Sequence, residues 1–175
     1  MQDSGRYGDM SMTHEELMEF LDGAEQCILV SLRRDGSPFP TPLGFYCDGE
    51  YFYVSFGHER AAVARLRRNP RVGITVPSWP AYPTKFVIAE GMAEEIPDED
   101  HSISKAVNWR GDPDKWAKRG IDKERFFANW ISIGRVVFRI RVTNLITFDM
   151  TKLPPEQTYT VGVAFPGEKV VAPGI

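Results

Sequence analysis

The sequence predicts a mainly β domain with peripheral helices, an α+β arrangement built on antiparallel strands. Three observations carry that prediction. Short apolar runs recur at close spacing with turn signals between them, such as Arg34-Asp35-Gly36-Ser37 and the hairpin dipeptide Asp48-Gly49. The stretch 135–142 alternates, with Val136, Phe138, Ile140 and Val142 on one face and Arg135, Val137, Arg139 and Arg141 on the other, which is the period of a half-buried strand. Helical patterns are confined to the start of the chain, to the residues following Gly57 and to the interval 98–130. With 175 residues, 42% of them apolar and 12% aromatic, the chain can bury a real core but has little room for more than one domain. A single domain over 1–175 is therefore expected, with 1–12 as a flexible N-terminus and 151–175, rich in Pro and Gly, as a C-terminal extension.

Each element has its own signal. Thr13 and Glu16 form a T-x-x-E capping box for a first helix, and Gly23 stands where a left-handed stop is expected after Leu17, Phe20 and Leu21. Cys27–Leu32 is an apolar strand. The next strand carries Pro38, Pro40 and Pro42 at alternate positions, so all three missing N–H donors fall on one edge while the other edge can still pair. That pattern suits an edge strand protected against aggregation. It also suits a free edge around Thr41, Pro42 and Leu43 on which a flat heterocycle can lie. After the Asp48-Gly49 hairpin comes a strand over 51–55, then a helix from about Arg60 to Arg68, ended by Asn69-Pro70 because the residue before proline is pushed out of helical geometry. Strands follow at 71–76 and 85–95, joined by the aromatic loop Ser78-Trp79-Pro80-Ala81-Tyr82-Pro83. Helices in 98–130 have Asp98 and Asp122 as N-caps and Trp109, Trp116, Phe126, Phe127 and Trp130 as apolar anchors. A last strand is expected near 159–164.

Charge and missing motifs narrow the function. A formal net charge of −3 argues against bulk nucleic-acid binding. No apolar run approaches the roughly 20 residues needed to cross a bilayer, and the polar start lacks a signal-peptide core, so a cytoplasmic protein without a membrane anchor is expected. Cys27 and Cys47 fall in strand-like surroundings and read as buried reduced thiols. His14, His58 and His101 are scattered, which predicts no metal site. There is no P-loop, G-x-G-x-x-G or G-x-S-x-G. Arg60, Arg65, Arg67, Arg68 and Arg71 are clustered. For most of them a solvated basic face suffices. Arg60 differs because it opens a helix, where orphan N–H groups and the macrodipole favour an anion, with the Ser55 hydroxyl close by.

The order Asp35-Gly36-Ser37-Pro38, Thr41-Pro42, hairpin, Tyr53-Val54-Ser55, Arg60 and Leu66-Arg67-Arg68-Asn69-Pro70-Arg71-Val72 resembles the signature of the pyridoxamine 5'-phosphate oxidase-like flavin and deazaflavin oxidoreductases. The likeness runs from Thr13 to Asp149. It implies a six-stranded antiparallel split β-barrel of the FMN-binding type, assembled as a homodimer with the cofactor at the subunit interface. It implies an oxidoreductase that passes hydride to or from a small conjugated substrate, using FMN or, alternatively, the 8-hydroxy-5-deazaflavin coenzyme. By the same resemblance Ser55 and Arg60 hold the cofactor phosphate, Thr41, Pro42 and Leu43 the ring edge, and Trp79, Tyr82 and Lys85 complete the pocket. The family's second basic residue falls at Ala62 here, so Arg65 or an arginine elsewhere must compensate. No catalytic residue is assigned; Tyr82 and His58 are candidate proton donors. A different class, a non-catalytic protein that sequesters FMN, haem or another planar anion, fits the missing acid/base pair and the departure at Ala62.

Overall fold

The chain passes from one edge of its sheet to the other across a single residue, Phe45. The computed structural model describes residues 10–78, 84–108, 118 and 120–153. Within them seven strands form one sheet: β1 (Gln26–Leu32), β2 (Pro38–Gly44), β3 (Tyr46–Cys47), β4 (Tyr51–Gly57), β5 (Arg71–Pro77), β6 (Lys85–Ile96) and β7 (Arg135–Asp149). Their spatial order is β2-β1-β5-β6-β7-β4-β3, and every neighbouring pair is antiparallel. β2 and β3 therefore stand at opposite ends of that order, yet only Phe45 separates them. The sheet has to curl until its edges meet, and the Phe45 ring, fully buried and 5.7 Å from the Phe52 ring, sits at that corner. This is a split β-barrel. It has seven strands, not six, because β3 is a two-residue strand too short to be read from sequence.

Among the described residues four helices are traced in full beside the barrel: α1 (His14–Gly23), α2 (Ala61–Arg68), α3 (Ser102–Asn108) and α4 (Lys123–Ser132). The Thr13 capping box forms as the sequence predicts, with both reciprocal bonds present. Gly23 is not a left-handed stop; it is the last helical residue, and the cap is Ala24 in extended geometry. Asp122 caps α4 by accepting from the Arg125 N–H. Asp98 caps α3 from a distance, accepting from Ile103 N and Ser104 N. Residues 10–12, expected in a flexible terminus, are tied to β7: Met12 N donates to Thr147 Oγ1, and Met10 O accepts from Asp149 N.

The two faces of the sheet are unlike. Cys27 and Leu29 of β1, Val72, Ile74 and Val76 of β5, and Val87 and Ala89 of β6 point into the barrel and are buried. The alternate residues point outward, where Pro42, Ile28, Thr75, Ile88 and Ile146 align in register across five strands. Ile28, Ile88 and Ile146 are 37%, 38% and 43% exposed, a high figure for apolar side chains in a row. β7 also runs further than its alternating stretch, to Asp149, and Val137, expected outside, is buried. A bulge between Glu90 and Gly91 lets β6 follow β7 round the bend; a methyl on Gly91 would stand 2.6 Å from Arg141 O.

Candidate anion-binding site

Arg60 stands immediately before α2, in extended geometry and without a side-chain cap of its own, so its backbone turns the chain into the helix while its guanidinium stays outside. Ser55, two residues from the end of β4, lies opposite Val137 of β7, and Gly57 opposite Arg135. That register brings in Arg135, an arginine that sequence alternation put on a face able to line a crevice but not among the phosphate ligands. Arg135 Nε donates to Ser55 Oγ at 3.2 Å and Arg135 Nη2 to Ser55 O at 3.1 Å, while Ser104 Oγ of α3 lies 3.3 Å from Ser55 Oγ. The Arg135 guanidinium stacks on Trp130 of α4, 3.5 Å from the ring centroid. Burial, reinforced by the neighbouring Arg60 charge, pulls Arg135 down to about 10. Two arginines, a buried serine hydroxyl and the start of a helix are thus assembled at one end of β4.

Sequence alternation placed Arg135 on an exposed face. It keeps that face, shared with Arg139, but is half-buried: Gly134, in left-handed geometry with φ of 66° and its N–H returned to Ile131 O, turns the chain back so that Trp130 of α4 covers the guanidinium. Glycine directly after an aromatic helix was the available signal.

The other expected residues are distributed differently. Arg65 lies further along α2, where its Nε donates to Ser31 Oγ at 2.8 Å and its guanidinium covers Phe39. Burial, with Arg33 and Arg68 nearby, lowers its pKa. Thr41 is half-buried, and its Oγ1 is buried without a hydrogen-bond partner. Leu43 packs against the core, and Pro42 faces out. β2 is an edge strand paired only with β1, as its prolines require, and it touches β4 across the seam.

Pro42 also lines a cavity of about 970 Å³ with Phe20, Ile28, Pro77, Ser78 and Lys85. Lys85 does not present a free charge there, because its Nζ lies 2.9 Å from the buried Asp149 carboxylate. His58 is pinned by a 2.6 Å contact from Nδ1 to Ile133 O; a carbonyl only accepts, so Nδ1 carries the proton. Trp79 and Tyr82 lie outside the described residues, as do Trp109, Trp116 and the strand expected near 159–164. Cys27 and Cys47 are buried thiols in no disulfide, and burial pushes Cys27 up to about 12.

A curled antiparallel sheet whose two edges meet, flanked by helices, defines the class of split β-barrels. The chain belongs to the pyridoxamine 5'-phosphate oxidase family, whose model matches residues 13–146. Among curated proteins none matches the chain. Among solved structures it is similar to conserved hypothetical protein Rv2991 of Mycobacterium tuberculosis, at 22% identity and a TM-score of 0.64 over 81% of this chain and 87% of that one. It is also similar to a FAD-binding protein of Mesorhizobium loti, at 22% identity and a TM-score of 0.55 over 78% and 93% of the two chains. An F420 reductase is similar at 19% identity and a TM-score of 0.55, over 73% and 94%. At these identities the likenesses establish the fold.

Proposed function

We propose that this chain binds FMN and acts as a flavin-dependent oxidoreductase on a small conjugated substrate. The observation that carries the reading is the meeting of Ser55, Arg60 and Arg135 around Gly57. A Cβ at Gly57 would lie 3.5 Å from Ile133 Cδ1, 3.8 Å from Arg60 Cγ and 3.9 Å from Arg135 Nη1, so both arginine side chains flank this glycine, and in this reading a phosphate lies between their guanidiniums. In this reading Ser55 and Arg60 hold the phosphate and the 41–43 segment, across the seam, supports the ring edge. Lys85 pairs with Asp149 at the opposite end of β7 from Arg135, so in this reading Trp79, Tyr82 and Lys85 complete the pocket of the partner subunit. A bound flavin supplies the hydride chemistry, and the protein contributes binding, orientation and exclusion of water. Membership of a family that includes an oxidase, and likeness to a FAD-binding protein and an F420 reductase, support a flavin-type cofactor.

The same reading makes the protein a homodimer with the cofactor between subunits. The outward row from Pro42 to Ile146 supports it, since exposed apolar side chains such as Ile28, Ile88 and Ile146, aligned on one sheet face with Thr75 among them, are stabilised by covering. The cavity that shares Pro42 and Ile28 with this row would then open onto the interface.

Titration of the purified protein with FMN and with the deazaflavin coenzyme, followed by absorbance and fluorescence, tests the cofactor. FMN is expected to bind more tightly; deazaflavin binding at least about tenfold tighter, 1.4 kcal/mol, reverses the assignment. Reoxidation of the reduced, loaded protein by an electron-poor substrate separates an oxidoreductase from a protein that only holds its ligand.

A further inference from the structure

We propose that Arg135 is the second cation of a two-arginine clamp for a phosphomonoester, supplying from β7 the charge that α2 lacks at Ala62. The inference rests on the reading of Ser55 and Arg60 as phosphate ligands and adds to it a residue from a different element.

Ala62 is buried, 5% exposed, so it faces the barrel and adds no charge to the rim. Arg65, one turn along the helix, is engaged by Ser31 and Phe39. Arg135, in contrast, stands near enough to feel the Arg60 charge, and its Nη1 and Arg60 Cγ both flank Gly57. Among the described residues neither Arg60 nor Arg135 makes an ion pair, whereas Arg67 and Arg139 are held by Glu95 and Glu94. Bringing two guanidiniums together with one partly buried is unfavourable unless an anion joins them.

The donors of Arg135 are also sorted. Nε and Nη2 are used by Ser55, and Trp130 covers one face of the guanidinium plane. Nη1, beside Gly57, has no acceptor among the described residues. Because Ser55 Oγ accepts from Arg135, its own hydrogen remains for a second partner, Ser104 at 3.3 Å or an anion. Two fixed cations suit a dianionic terminal phosphate, whose second proton is lost near pH 6. A phosphodiester offers a single charge and one fewer terminal oxygen.

The competing account is that Arg135 only fastens α4 to the barrel. Calorimetry with FMN and with riboflavin, on the full chain and on Arg60→Ala, Arg135→Ala and Arg135→Lys, separates the two, with thermal unfolding of each variant as the check on folding. Arg60→Ala and Arg135→Ala should each weaken FMN by roughly ten- to a hundredfold and riboflavin by less than about threefold. Arg135→Lys, which keeps the charge and loses the fork, should fall between Arg135→Ala and the parent. If Arg135→Ala does not fold, Arg135→Lys decides alone by a selective loss of FMN. A selective loss in Arg60→Ala with Arg135 variants indifferent overturns the clamp and leaves the phosphate reading in place. An equal loss of FMN and riboflavin in the Arg135 variants makes the residue a fastener and also overturns it. An Arg60→Ala protein without selective loss removes the phosphate reading and the clamp together.

Discussion

Arg60 and Arg67 lie seven positions apart on the same basic stretch but differ in what surrounds them. Arg67 is held by a two-pronged contact with Glu95, both bonds at 2.7 Å, and Arg60 has no such partner among the described residues. Replacing Arg60 with Ala should remove a charge-assisted hydrogen bond worth about 1.5–3 kcal/mol to bound FMN, and Arg67→Ala should leave FMN affinity near that of the parent. Calorimetry on the two variants makes the comparison. Asp149 offers a different residue-scale test. Burial alone would raise its carboxyl pKa, but hydrogen bonds from Thr151 and Lys85 more than offset this and hold it below the usual carboxylate range. A depressed folded-state pKa contributes stability above the unfolded value, near pH 4, and loses it as pH falls. Asp149→Asn should therefore unfold at lower temperature than the parent at pH 7, with the gap narrowing below about pH 4. A gap that stayed constant through acid would refute the assignment.

At the scale of elements, legibility followed how local each signal was. The Thr13 box, the Asp122 cap, the Asp48-Gly49 turn and the proline-marked edge strand are set by a few neighbouring residues, and sequence reading found all four. Asp48 accepts from Glu50 N and Tyr51 N around a Gly49 with φ of 99°, which is local chemistry throughout. β7 was cut short at Val142 because the second half, Thr-Asn-Leu-Ile-Thr-Phe-Asp, has no clean alternation; its strand geometry comes from pairing with the first half of β6. The Arg135 contact with Ser55 was likewise hidden, since the two meet through a register eighty residues wide. Gly91 is an element-scale prediction: Gly91→Ala would press a methyl against Arg141 O and Ile140 Cγ2 and should cost about 1–3 kcal/mol. Urea unfolding measures it, and a loss under about 0.5 kcal/mol would show that the bulge relaxes freely.

For the whole molecule, the decisive contrast is between a packed inner face and an outer face with an apolar row. Placing a carboxylate at its centre, Ile88→Asp, should turn a dimer into a monomer in light scattering while the barrel still folds, because Ile88 is already 38% exposed in the single chain. A parent protein that is a stable monomer and still binds FMN would remove the dimer from the proposed function. The curl that exposes this row is fixed at the seam. Gly44, Phe45 and Tyr46 are consecutive, so the two edges of the sheet are held at a very high effective concentration by the backbone itself, and the seam needs few contacts of its own. A hydrolysed bond beside Phe45 would abolish that advantage and let the β2 and β3 edges, which do not pair with each other, move apart, turning a curled sheet into an open ribbon prone to pairing with its neighbours. The barrel's resistance to aggregation thus depends on keeping one peptide linkage out of a protease's reach, which the complete burial of the Phe45 side chain helps to secure.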